Sequence, residues 1–288
     1  MLAFITTLRH PDNSADYARE EVLLQETLAS ITQQTSDDYA VYIVANRAPS
    51  FPLPARTEFV LADFAPPRRA NGEHASLEDF VIDKGSKVGL GLLAARDSGA
   101  DWVMLFDADD FVHRDVVEFV RAHADSPGWF VNEGWVFSRR RNGYRKQAAF
   151  HRTCGTSYII PFEAYGTPAE LTVDASQREV VDAFGDTLKR AMGAHRNAVA
   201  WHLDQGRELR PLPFRGAVYH VDTGANHSGK SLAGVIRPWS KQLERDFAIT
   251  SKTSRAVAVV NAVHPRAIAQ WCLGMAHRVV RKLSSRRG

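Results

Sequence analysis

The chain has 288 residues, 44% hydrophobic and 24% charged, with a formal net charge of +3. That length is enough for a sizeable core in one large domain or two small ones, and so mild a charge gives no reason to invoke nucleic acid. Two distant cysteines, Cys154 and Cys272, exclude a disulfide framework and a zinc pattern; no apolar run is long enough to span a bilayer, and Met1 to Leu8 lacks the basic lead of a signal peptide.

Leu2 to Leu8 reads as a first strand, with Arg9-His10-Pro11 as its exit loop. Tyr17 to Gln34 reads as a helix, because Val22, Leu24, Leu28 and Ile31 fall close to helical spacing. The β-branched run Tyr39 to Ala45 is a second strand ending at Asn46-Arg47. An irregular proline-rich stretch, Ala48 to Pro54, precedes a third strand at Glu58 to Leu61. After the loop Pro66-Pro67-Arg68-Arg69, Lys84 to Ser98 is expected to be helical, with Gly99 marking its end. Lys84 and Lys87 then share a face near that helix's start, where phosphates bind; a solvated basic face is the alternative. Asp83 is placed to accept from a base or ribose, or to cap the helix.

Trp102 to Phe106 is the fourth strand, and it ends abruptly in Asp107-Ala108-Asp109-Asp110. In an open α/β sheet, ligands bind beyond the carboxyl ends of the strands. Two carboxylates one residue apart in that place suit a divalent cation, whose remaining positions a diphosphate fills. Asp110 is expected to cap the next helix. The β-α-β-β-α-β order predicts an α/β fold with a doubly wound, mostly parallel sheet.

Beyond the acids, His113 to His123 reads as a helix, Trp129 to Ser138 as a strand, Asn142-Gly143 as a hairpin turn and Tyr144 to Phe150 as the returning strand. Thr156 to Ile160 is a further strand and Arg178 to Met192 a helix. Glu208 to Val221 is extended, and the chain is mostly helical from Ser240. Ile268, Cys272, Met275 and Val279 form an apolar stripe in a basic terminal helix, which either docks on the domain or lies on an anionic membrane. The basic hairpin Ser138 to Lys146 suits an anionic acceptor or lipid head group, or simply a soluble edge.

The strand exit Thr6-Thr7-Leu8-Arg9, Asn46 at a strand end, Asp83-Lys84-Gly85-Ser86-Lys87, the Asp107-Ala108-Asp109 motif and the late block Tyr219 to Ser228 together resemble GT-A-fold glycosyltransferases of the family 2 kind. The resemblance runs nearly end to end. It implies a GT-A-like mixed sheet flanked by helices over 1–239, with a nucleotide half at 1–112, an acceptor half at 113–239 and a helical extension at 240–288. It implies a nucleotide-diphosphate sugar donor and a glycan or lipid-linked hydroxyl acceptor, with cell-envelope polysaccharide synthesis as the context, and it favours inverting over retaining chemistry, both of which stay open; the two cysteines fit a reducing cytoplasm, with the inner membrane face as a peripheral site. Thr6, Thr7, Arg9, Asn46, Asp83, Lys84, Lys87, Asp107 and Ala108 would then bind the donor. Asp109 would hold Mn2+ or Mg2+ as a Lewis acid. Alternation on a strand puts His220 and Asp222 on one face, both toward that metal, while His227 falls in a loop over the site. The family's helical acid pair is missing: His195-Arg196 stands in its place, which makes His195 the candidate base, with His202 and Asp204 as fallbacks. That departure also leaves open a non-catalytic nucleotide-sugar or carbohydrate-binding protein. An Asp-x-Asp phosphatase wants its pair on the first strand, and a nucleotidylyltransferase wants a glycine- and arginine-rich loop there, which Leu8-Arg9-His10-Pro11 is not.

Overall fold

The computed structural model describes residues 1–67, 76–224, 230–251 and 253–263. The terminal stripe of Ile268, Cys272, Met275 and Val279 and the loop histidine His227 lie outside the described residues.

The first part of the chain supplies β1 (Leu2–Thr7), α1 (Tyr17–Ile31), β2 (Tyr39–Ala45), β3 (Thr57–Leu61), α2 (Leu77–Asp97) and β4 (Trp102–Leu105). Next come β5 (Phe111–Val112), α3 (Val116–Ala122), β6 (Trp129–Phe130), β7 (Glu133–Ser138), β8 (Gly143–Ala148) and β9 (Tyr158–Pro161). The rest is α4 (Gln177–Thr187), a π-helical turn (Leu188–Met192), α5 (Ala198–Asp204), β10 (Arg210–Pro211), β11 (Ala217–Val221), β12 (Arg237–Pro238), α6 (Lys241–Phe247) and α7 (Arg255–Val263).

The architecture is α/β with two mixed sheets. The main sheet has seven strands in the order β10-β6-β9-β4-β1-β2-β3, and a second has five in the order β12-β8-β7-β11-β5. Strands β1 to β4 run parallel, whereas β9 is antiparallel to both β4 and β6. The order steps outward from β1 to β3 and then reverses, with β4 on the other side of β1. That reversal is a topological switch point, and the crevice it opens lies at the carboxyl ends of β1 and β4. Successive residues of β1 serve opposite faces: Leu2 and Phe4 join the cluster containing Leu24 and Leu28 of α1, while Ala3 and Ile5 join Leu90, Leu92 and Leu93 of α2. Burial on both faces is why these strands read as unbroken apolar runs.

Helix α2 begins earlier than the sequence predicts. Ser76 caps it, and Asp79 closes a reciprocal capping box. Lys84 and Lys87 therefore lie well inside the helix rather than at its N-terminus, and Asp83 is not its cap. Three glycines seat the helix closely. A Cβ on Gly91 would fall 2.4 Å from Ile5, one on Gly89 2.5 Å from Val180, and one on Gly85 2.6 Å from Leu188.

Other elements also depart from expectation. The run Trp129 to Ser138 is divided between the two sheets as β6 and β7. The helix expected over Arg178 to Met192 breaks at Gly185, which adopts φ 50° and ψ −128°. The hairpin at Asn142-Gly143 forms as expected, with Asn142 at φ 44° joining β7 to β8. Leu243, Phe247 and Ile249 pack with Phe111, Trp135 and Phe137 under the second sheet, so residues past 239 contribute to its core.

Candidate active site

The acidic motif leaves β4 at the switch point as a tight turn. Asp110 N–H donates to Asp107 O at 3.1 Å, and Thr27 of α1 donates to Ala108 O at 3.0 Å. Thr156 grips both ends of the turn: its Oγ1 accepts from Asp107 N at 2.9 Å and donates to Asp110 Oδ2 at 2.7 Å. Asp110 is fully buried and does not cap α3, where Asp115 holds that position. Cys154 Sγ lies 2.9 Å from Asp110 Oδ2, and the His220 backbone N–H donates to Oδ1 at 3.0 Å. The third acid is thus a buried hub that fixes where the first two stand.

Lys84 Nζ donates to Asp107 Oδ1, with the two side chains 33% and 31% exposed. Burial alone would raise the Asp107 pKa, but the Lys84 ammonium, and after it His195, hold this carboxyl below its ordinary range. The Gly155 backbone also donates to Asp107, and a Cβ there would sit 2.7 Å from Oδ2. Asp109 behaves differently. Burial first, then the neighbouring Asp107, pushes it up to about 7, although Thr223 Oγ1 donates to it at 3.3 Å.

This pair suits a divalent cation. Burial and the neighbouring Asp107 both penalise a charge on Asp109, and a cation bound there would relieve that penalty. Among the described residues no group of three or more His, Cys, Asp and Glu is placed to hold a metal. Asp107 and Asp109 would hold the ion from this turn, and one or two carboxylates with substrate phosphates completing the shell is the ordinary arrangement for magnesium.

The donor-binding candidates divide into two kinds. Among the described residues, Thr6 is buried with no partner for Oγ1. Asn46 donates its amide to Ala62 O at 2.7 Å and Phe64 O at 2.9 Å, which leaves Oδ1 as a buried acceptor without a partner among the described residues. Asp83 likewise keeps Oδ1 without one. These acceptors come from β1, the end of β2, and α2. Lys84, Lys87 and Arg9 are already engaged. Lys87 is fully buried, not a solvated face: its Nζ donates to Asp83 Oδ2 at 2.9 Å and to Leu8 O at 3.0 Å. Arg9 lies 3.8 Å from Glu20, and Thr7, the last residue of β1, is half-buried.

The late histidine cluster needs correction. β11 stops at Val221, and Asp222 turns into the left-handed region at φ 62°, so strand alternation does not carry from His220 to Asp222. The His220 ring lies between Phe111 and Phe137, at centroid distances of 5.4 and 5.5 Å, and bonds to the Asp109 backbone. Burial pushes its pKa down to about 3. Asp222 Oδ2 instead accepts from Leu232 N at 3.3 Å. His220 and Asp222 therefore do not share a strand face.

His195 lines a narrow cavity with Lys84, Asp107, Gly155, Tyr158 and His202, and the space there is about 20 Å³, room for one water molecule. It precedes α5, whose N-cap is Asn197. Tyr158 donates to His195 O at 2.8 Å and pins its backbone. Burial lowers the His195 pKa to about 4, against the pull of Asp107, so the imidazole is neutral near pH 7. His202 is buried, also lowered to about 4, with Nδ1 3.4 Å from Arg207 Nε; Asp204 is exposed. Sequence reasoning missed Cys154, Gly155 and Thr156, a small polar loop just ahead of β9 that reaches the motif only through the antiparallel β4–β9 pairing.

No protein-family model matches the sequence, and neither does any curated protein. Solved structures similar to the chain include S. aureus TarS 1–349 in complex with UDP-GlcNAc, at 10% identity and a TM-score of 0.44 over 81% of this chain. Mannose-1-phosphate geranyltransferase from Thermus thermophilus is 14% identical, with a TM-score of 0.35 over 76% of this chain and 73% of its own. A protein from Desulfovibrio desulfuricans assigned as a nucleotide-diphospho-sugar transferase is 11% identical, with a TM-score of 0.35 over 76% of this chain and 80% of its own. The chain spans 55% to 62% of TarS 1–349.

Proposed function

We propose that this chain is a glycosyltransferase that moves a sugar from a nucleoside diphosphate sugar to a hydroxyl of a glycan or lipid-linked acceptor. One observation carries the reading: at the switch-point crevice, Asp107 and Asp109 stand together with Lys84. Lys84 offers a positive charge to a departing diphosphate, where a preorganised cation is worth more than in water. Thr6, Asn46 and Asp83 offer buried oxygens without partners among the described residues, a match for the N–H and O–H groups of a base and ribose. A Mn2+ or Mg2+ ion on Asp109, with Asp107 beside it, would supply Lewis-acid stabilisation of the leaving group. His195, neutral and next to Asp107, is the group we assign to take the acceptor's proton in an inverting displacement. Arg140 and Lys146 are exposed on the β7–β8 hairpin and suit an anionic acceptor or a lipid head group. Among the described residues no helix is long and apolar enough to cross a membrane.

A second reading, a nucleotide-sugar-binding protein without turnover, is favoured by His195 itself, because a pKa of about 4 makes a weak base. Thermal shift with UDP and GDP, with and without Mn2+, tests the common core of both readings. At least one nucleotide should stabilise the protein in a Mn2+-dependent way that Asp109→Ala abolishes. An unchanged response in Asp109→Ala would end the metal assignment. Slow hydrolysis of a nucleotide sugar, present in the parent and absent in His195→Ala, separates enzyme from binder.

A further inference from the structure

The Asp107 carboxylate is held by protein groups. Oδ1 accepts from Lys84 Nζ, and Oδ2 is hemmed by Gly155, whose backbone donates to the same side chain. Asp107 is held on its other side by Thr156, which fixes its backbone N–H. Lys84 is equally constrained. It rises from the middle of α2, whose neighbouring Gly85 and Gly89 leave no room for a Cβ against Leu188 and Val180, so the helix is packed closely where Lys84 leaves it. The ammonium therefore occupies, at the first acid, the position a divalent cation would need for a second protein ligand. At Asp109 the hydrogen-bonding neighbour is instead the neutral Thr223 hydroxyl.

We infer that Lys84 is an internal counter-ion of Asp107 that is exchanged on donor binding: a diphosphate draws the ammonium off Asp107, and Asp107 then becomes available to the metal held by Asp109. Metal and nucleotide are thereby coupled through one side chain. Without nucleotide the metal competes with a tethered cation. With nucleotide the competitor is occupied elsewhere. Such coupling is reciprocal, so the metal must raise nucleotide affinity by the factor by which nucleotide raises metal affinity. The inference rests on the proposed donor site, and the experiment separates the two.

The test measures Mn2+ affinity on the full chain by the EPR signal of free Mn2+, with and without UDP or GDP, for the parent, Lys84→Met, Asp107→Asn and Asp109→Ala. Circular dichroism and Tm establish that each variant is folded. The parent should bind Mn2+ alone weakly and gain at least tenfold with nucleotide. Lys84→Met should bind Mn2+ alone at least tenfold more tightly than the parent while losing nucleotide affinity. Asp107→Asn should bind nucleotide without metal more tightly than the parent, because Lys84 is released, and lose most of the coupling. Equal Mn2+ affinity in the parent and Lys84→Met, with nucleotide binding still sensitive to Asp109→Ala, overturns the counter-ion and leaves the donor site standing. No Mn2+ or nucleotide binding in any protein overturns both.

Discussion

Asp110 Oδ1 accepts the backbone N–H of His220 at 3.0 Å and so ties the turn after β4 to β11 of the second sheet. With Cys154 and Thr156 on Oδ2, one buried carboxyl group serves three donors from two parts of the chain, the loop ahead of β9 and β11.

Replacing that carboxylate strands those donors away from water, at about 1–3 kcal/mol for each group left unsatisfied. Asp110→Ala should lower the unfolding free energy by about 3 kcal/mol in urea titrations and displace Asp107 and Asp109 along with it. A variant as stable as the parent would mean that the hub is not the anchor of the motif.

Lys87 has the opposite character to Lys84. It is sealed from solvent and offsets Asp83, so Lys87→Met leaves a buried charge alone. Breaking a buried pair on one side costs about 3–5 kcal/mol, and chemical denaturation should register a loss of that order. Lys84→Met, whose pair is a third exposed, should cost far less.

Gly155→Ala introduces a Cβ 2.7 Å from Asp107 Oδ2. The carboxylate must move, while the rest of the core does not. Nucleotide affinity in the presence of Mn2+ should fall about tenfold, close to ~1.4 kcal/mol, with Tm nearly unchanged. A large Tm loss with affinity preserved would place the strain elsewhere.

Acid should destabilise the fold. His195 and His202 are lowered to about 4 and His220 to about 3, burial being the main cause each time, and His113 and His151 are lowered too. Below the ordinary histidine value of about 6.5 the unfolded chain takes up protons that the folded one refuses, so stability drops as pH falls. Asp109, raised to about 7, and Asp110, also raised, act in the opposite sense: their contribution is present in acid and fades as pH rises. Five histidines against two carboxyls leave a net decline of Tm from about pH 7 to about pH 5. His202→Gln, which keeps an acceptor for Arg207 but does not titrate, should flatten that slope. A Tm that climbs on acidification would contradict the balance.

Strands β1, β2 and β4 are legible in the sequence because burial on both faces leaves contiguous apolar runs, and the acids after Phe106 mark the carboxyl edge. The start of α2 is not. Its first turn, Leu77-Glu78-Asp79, carries no apolar period, and its capping box uses Asp79 where glutamate or glutamine is the usual signal. Reading the helix from Lys84 puts two lysines at an end they do not occupy. The hub on Asp110 joins residues 44, 46 and 110 positions away, which no local pattern encodes. Asp222 is misplaced by alternation because alternation assumes that a strand continues, and one left-handed residue ends it.

The glycines of α2 tell one more thing about this molecule. Glycine inside a helix forfeits about 1 kcal/mol relative to alanine, yet Gly85, Gly89 and Gly91 each stand where a methyl group would collide with a neighbour. Stability engineering that filled them with better helix formers would press α2 off β1 at Gly91 and off Leu188 and Val180 at Gly85 and Gly89, and would shift the root of Lys84 with it. The reach of one ammonium is set by what those three positions lack, so this helix is a gauge of distance before it is a scaffold.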